Sequence, residues 1–143
     1  MWLFDTSRDK KLYHTGLLLL RVVVSCFMLT HGAQKYMMLF SGEPIQFADP
    51  FSIGQTNTLV LVFLAEFICS VFILIGFATR LVVIPLIINM FVIVFMVHAP
   101  DGFEKQELPG LYLVIYVLLL ITGSGKYSID HLIYKKRRPR VYS

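Results

Sequence analysis

The apolar positions of this chain fall in four blocks. Gly16–Leu29, Leu59–Phe77, Leu81–Val97 and Leu111–Ile121 are nearly unbroken runs of aliphatic and aromatic residues. A helix needs about 20 residues to cross the hydrocarbon of a bilayer, within a range of about 17–25. The second and third runs reach that length unaided. The first reaches it by extending to Ala33 or beyond, and the fourth by taking in Glu107–Gly110 and Thr122–Gly123. One buried soluble helix accounts for one such run, but hardly for four in 143 residues. The pattern predicts a single all-α domain over residues 1–143, a four-helix transmembrane bundle. Its spans lie at roughly 14–35, 58–77, 80–98 and 107–123.

Between the blocks, breakers and caps punctuate the chain. Residues 1–14 are polar with Trp2, Leu3, Phe4 and Tyr13 interleaved, which reads as an interfacial lead-in. The loop between the first two spans carries Gly42, Pro44, Pro50 and Gly54, together with Phe40, Phe47 and Phe51. Long loops without structure of their own are usually functional or disordered. The three phenylalanines point to a lid folded onto the bundle, with anchoring at headgroup level as the plainer alternative. Pro85 removes one backbone hydrogen bond from the third span and should open or kink it. Pro109 suits the first turn of the fourth, where its missing N–H costs nothing. Gly123-Ser124-Gly125 ends that helix. Ser128 then caps a short helix at roughly 128–136, whose Ile129, Leu132 and Ile133 share a face suited to a membrane surface.

Charge adds orientation. The chain is 57% hydrophobic and 15% charged, with formal net charge +4. Arg8, Lys10, Lys11, Arg80, Lys126, Lys135, Lys136, Arg137, Arg138 and Arg140 all fall on one side of a four-pass chain. The other side holds Lys35 and Lys105 with Glu43, Asp49, Asp101, Glu104 and Glu107. Basic residues stay cytoplasmic, so both termini are expected inside. The positive charge thus reflects topology, and no nucleic-acid partner is expected. Arg21 interrupts the first apolar run, so that run is not expected to be a cleaved signal. Cys26 and Cys69 are single, lie inside spans and form no Cys-x-x-Cys. Thiol–disulfide chemistry is therefore disfavoured, and both read as small buried hydrophobes.

Polar residues within the spans are the candidate chemistry, because a charge there costs about 2.5–3.5 kcal/mol. Arg21, Ser25, Met28, Gly32 and Lys35 fall within about 40° of one line on a helix, with His31 about 80° aside. The second span holds Glu66, Cys69 and Ser70; the third holds Asn89 and, at its outer end, His98. From the helical rise, Arg21 lies roughly 10 Å and Glu66 roughly 16 Å from the inner edge, a gap that a snorkelling arginine covers. An Arg21–Glu66 ion pair is expected, within an intramembrane polar site of Arg21, Glu66 and Asn89. Should the two not meet, Lys35, His31 and Asn89 are the next partners for Glu66. His31, Lys35 and His98 form an outer layer that Glu104 or Glu107 could close, and His31, Lys35, His98 and Glu107 are the candidate quinone or proton site. Asn89 and His98, nine residues apart, point to opposite sides of a regular helix. Which of them faces the bundle centre stays open. A haem held by His31 and His98 is disfavoured, because few small residues nearby would admit a porphyrin, and no metal site is readable.

These residues also form a family pattern. Arg21, His31-Gly32-x-x-Lys35, Ala65-Glu66, Gly76-Phe77-Ala78-Thr79-Arg80, His98, Glu107 and Gly123-Ser124-Gly125-Lys126-Tyr127-Ser128-Ile129-Asp130 recur in this order over Leu17 to Ile133. The chain resembles the DoxX family of small bacterial membrane proteins, with Ser124 where the family often has proline. The resemblance implies a multi-pass protein of the bacterial inner membrane. It further implies an integral subunit of a redox or quinone-linked complex, with protein partners or a homo-oligomer in the bilayer. No covalent cofactor is expected, and quinone is the cofactor that the resemblance suggests. The alternative is a non-catalytic accessory or assembly protein, or a small-solute transporter.

Overall fold

The computed structural model describes residues 10–137. The lead-in expected before residue 10, and the basic Arg138 and Arg140, lie outside them. Four long helices follow one another: α1 (Lys10–Phe40), α2 (Gln55–Ile75), α3 (Thr79–Val97) and α4 (Phe103–Thr122), with a short α5 (Ile129–Arg137) behind them. All four are long and apolar enough to cross a membrane, as the apolar runs predict. The described residues contain no strand.

Two boundaries differ from the expectation. α1 runs past both ends of its apolar stretch, because Lys10–His14 and Tyr36–Phe40 contain no proline or glycine to stop a helix. α4 starts at Phe103, so Pro109 lies inside the helix and not in its first turn. There it removes the N–H that the Lys105 carbonyl would otherwise accept.

α1 packs on α2, α2 on α3 and α3 on α4, whereas α1 and α4 make few close backbone approaches. The core runs along the axis through Leu17, Val24, Met28, Ile73, Leu86, Met90, Tyr116 and Leu119. Leu19, Leu61, Leu81, Ile88, Phe95 and Ile121 point outward and stay well exposed. A soluble chain does not present so continuous an apolar exterior, but a bilayer accepts it.

Gly32 sets a close helix contact. A Cβ there would meet the Phe67 Cβ at 2.8 Å and the Phe67 Cα and N at 2.9 Å, so only glycine lets α1 lie directly on α2. Phe67 belongs to a π turn, Leu64–Ile68, closed by the Cys69 N–H onto the Leu64 carbonyl. A second π turn, Ile93–Val97, ends α3, with the His98 N–H donating to the Ile93 carbonyl at 2.9 Å.

The end of the bundle where the described residues begin and end, here the terminal end, is tied by caps. α2 stops in a Schellman motif: Gly76 takes a left-handed φ of 69°, the Phe77 N–H donates to Phe72 and the Gly76 N–H to Ile73. Ala78 is also left-handed, at φ 48°, which costs a non-glycine residue about 1–2 kcal/mol. Asp130 from α5 holds it there, accepting from the Ala78 N–H at 2.7 Å and the Thr79 N–H at 3.1 Å. Ser128 caps α5 as expected, its Oγ accepting from the His131 N–H at 3.2 Å.

At the opposite, loop end, Asp49 opens α2. It accepts from the Ile53 N–H at 3.1 Å, the Gly54 N–H at 2.8 Å and the Thr58 hydroxyl at 2.9 Å. Desolvation pushes this carboxyl up, but the hydrogen bonds from Gly54, Thr58, Ile53 and Ser52 outweigh it and hold it below the usual carboxylate range. Of the three loop phenylalanines only Phe47 turns toward the bundle. Phe40 and Phe51 stay exposed, as headgroup anchors would.

Gly32→Val should cost about 1–3 kcal/mol by overpacking at Phe67. Gly110→Ala, where an added Cβ meets nothing within 4 Å, should be neutral or slightly stabilising. Thermal unfolding of the two variants in detergent measures the contrast.

Candidate functional site

Arg21 and Glu66 do not meet. Arg21 is 1% exposed and spends its guanidinium on backbone carbonyls. Its Nε donates to Ile73 at 3.0 Å, Nη2 to Leu74 at 3.1 Å, and Nη1 to Tyr127 at 3.0 Å and to Ser124. The reason is local. The last carbonyls of a helix have no donor of their own, and those of α2 lie at the arginine's own depth. Glu66 is seven residues further along, roughly 10 Å away by helical rise. Gly76 packs against the guanidinium and leaves no room for a side chain. Arg21 is therefore the hub of the terminal end, joining α1 to the end of α2 and to the segment after α4. Arg80 does a lesser version of the same, donating to the Ile121 carbonyl at 3.2 Å.

Glu66, 2% exposed, finds the partners that stood next in line. Lys35 Nζ pairs with its Oε2 at 3.1 Å, and Asn89 Nδ2 donates to its Oε1 at 3.1 Å. The Gly32 contact brings this about. It presses α1 onto the π turn that contains Glu66, and Lys35 follows three residues later on the same face of α1.

Two cavities adjoin this cluster. The smaller, about 190 Å³, lies under the loop between α1, α2 and α3, with Phe47, Ala48, Pro50, Asn89 and His98 in its wall. The larger, about 440 Å³, opens between α1, α3 and α4 and is walled by Met28, His31, Met90, Leu108, Pro109 and Tyr112, with Glu104 and Lys105 at its rim. Lys35, Glu66, Ile93 and His98 border both. A cavity of the larger size falls in the usual range for small-molecule sites.

The question left open for Asn89 and His98 is answered by the π turn between them. A regular helix puts residues nine apart on opposite sides. One extra residue in the π turn reduces the offset to about 80°, and both then reach the smaller cavity. His98 is fixed by Asp101, with Nδ1 and Oδ2 2.8 Å apart, and Gln106 donates to the His98 carbonyl at 2.9 Å. The contact with His98, helped by Lys105, holds the Asp101 carboxyl below the usual carboxylate range.

A family model described as DoxX matches residues 16–99, more than half of the chain. The chain belongs to the DoxX family. No curated protein and no solved structure matches it.

In this DoxX protein the outer-layer candidates divide. His31, Lys35 and His98 all line the larger cavity, whereas Glu107 is exposed and lines neither; Glu104 stands at the rim instead. Of the intramembrane trio, Glu66 and Asn89 join the cluster and Arg21 belongs to the terminal end. Tyr112 is a site residue that the sequence reading missed. Its ring meets His31 edge-on, with centroids 6.1 Å apart and planes at 85°, and stacks with Tyr116. A tyrosine pair four residues apart in an aliphatic run was the available signal, since a buried tyrosine carries a polar tip that needs a place.

Replacing Lys35 by Met should strand Glu66 and cost up to about 3–5 kcal/mol, less whatever water at the part-exposed ammonium already screens. The double variant Lys35→Met/Glu66→Gln should recover part of that loss. Arg21→Leu should lose stability whether or not Glu66 is changed. Melting temperatures of the single and double variants decide it, and recovery of Arg21→Leu by Glu66→Gln would contradict the geometry.

Proposed function

We propose that this DoxX protein is an integral subunit of a quinone-linked redox complex in the bacterial inner membrane, with both termini cytoplasmic. The quinone headgroup occupies the larger cavity. The observation that carries this reading is the charge balance of that cavity beside unused donors. Its lining carries two cations and two acids, Lys35 and Lys105 against Glu66 and Glu104, with Lys35 ion-paired to Glu66 and Lys105 to Asp101. The site is thus suited to an uncharged polar group and poorly suited to an anion. His31 and the Tyr112 hydroxyl make no hydrogen bond to another described residue, and both face the space where a carbonyl would sit.

A quinone takes up two electrons and two protons on becoming a quinol. The electrons come from a partner protein. The chain's own part is to hold and orient the ring through His31, Tyr112 and Lys35, and to keep a carboxylate at Glu66 within reach of a proton path to the loop end. The apolar walls at Met28, Met90 and Leu108 exclude bulk water. A transporter needs a route through the bundle, and the Arg21 hub with its ring of carbonyls fills the terminal end, which favours the subunit reading over solute transport.

Titration of the purified protein with a decyl-tailed benzoquinone or naphthoquinone should show saturable binding, with lipid quinone in the solvent extract of the untreated sample. Tyr112→Phe and His31→Ala should each weaken binding about 5–10-fold, the worth of one hydrogen bond of about 1–1.5 kcal/mol. A protein that carries no quinone and binds neither compound would refute the reading. Orientation is checked separately: a cysteine introduced at Gly42 should react with an impermeant thiol reagent from the periplasmic side, and reaction from the cytoplasmic side alone would invert the topology.

A further inference from the structure

The larger cavity has a second, wholly apolar neighbour. A crevice of about 180 Å³ runs between α1 and α4, walled by Val23 and Phe27 on one side and Leu111 and Ile115 on the other. Leu108 and Tyr112 belong to both the crevice and the cavity, so the two spaces share a wall. This is also the one seam between successive long helices, taken round the bundle, where backbones hardly approach. The His31–Tyr112 contact stands at the junction. Along α1 the crevice lies on the terminal side of His31, and Leu20 is roughly 16 Å from it by helical rise. The crevice therefore leads from a polar chamber near one membrane face toward the hydrocarbon midplane.

Resting on the quinone reading above, we propose that the ligand is loaded sideways from the bilayer and that its long prenyl or alkyl tail lies in the α1–α4 crevice. A headgroup of the right chemistry with no tail fills only half of the site. Three features support the tail as occupant. The crevice is continuous with the chamber that takes the headgroup. Its wall carries almost no polar surface, which suits a hydrocarbon chain. The seam is open to the lipid side, where Val23, Phe27 and Leu111 stay exposed along the crevice. The site selects for amphiphiles in which a compact uncharged head is joined to a flexible apolar chain. Tail burial supplies affinity and the His31–Tyr112–Lys35 corner supplies orientation.

The experiment fills the crevice without touching the chamber. Val23 and Leu111 are both well exposed along the seam, so Val23→Trp and Leu111→Trp should fold. Affinity for the decyl-tailed quinone should fall about tenfold or more in each, and affinity for the same ring bearing only a methyl group should stay at the wild-type value. A quinone with a photoreactive group in mid-tail should crosslink to the 20–27 stretch of α1 or the 108–115 stretch of α4. Equal losses for tailed and tail-less rings, no loss for either, or crosslinks confined to the α2–α3 face at Leu61 or Ile88 would overturn the proposal. So would a change of oligomeric state in the tryptophan variants with quinone affinity intact, because the crevice would then be a contact between copies. If the wild-type protein binds neither ring, the quinone reading itself has failed. If it binds both rings equally and the variants change nothing, only the tail assignment has.

Discussion

Hydrocarbon offers an ionic group no hydrogen bonds, and the architecture of this bundle follows from how two buried charges are satisfied by protein. Arg21 takes the carbonyls that α2 and the segment after α4 leave over, and in doing so fixes where both must end. Glu66 takes an ammonium and an amide from two different helices, and so fixes how α1, α2 and α3 are rotated. The first arrangement spends four of the guanidinium's five N–H donors on backbone carbonyls. The second leaves histidine and tyrosine donors beside it unspent, and that difference separates a structural knot from a place that can hold a ligand.

The two ends are linked by one missing side chain. Gly32 permits α1 to touch the π turn of α2, and Lys35 can then reach a carboxylate that a wider helix separation would leave isolated. The second π turn does the equivalent for α3, rotating His98 back toward Asn89. Neither turn is a flaw in an α-helix. Each inserts one residue where the ion cluster needs a changed azimuth.

The four spans were legible because run length is a property of sequence alone, and the family pattern of Gly76–Arg80 and Gly123–Asp130 was legible as a motif. The meaning of that motif was not. The partners of Arg21 are backbone carbonyls, which any residue supplies, so no side-chain count points to them. An acid is the expected partner of a buried cation, which singles out Glu66. The Lys35–Glu66 pair was within reach as the fallback, since Lys35 lies on the same stripe as Gly32. The joint placement of Asn89 and His98 was hidden, because a π turn in Ile93–Val97 has no signature in five apolar residues. The first turn of α1, its extension over Tyr36–Phe40 past Gln34 and Lys35, and the early start of α4 escaped for a simpler reason: a polar residue ends an apolar run but does not end a helix.

Arg21 also imposes an order on the making of the protein. The chain enters the membrane from its N-terminus, so α1 is in place before any of the four carbonyls that its guanidinium binds has been synthesised. The acceptors at Ile73 and Leu74 follow some fifty residues later, and those at Ser124 and Tyr127 more than a hundred. Until Tyr127 is made, the guanidinium has at most three of these four acceptors. The segment after α4 supplies the last two. The stretch that follows the last long helix thus completes the seat of an arginine in the first, and a chain interrupted before residue 124 lacks half of it.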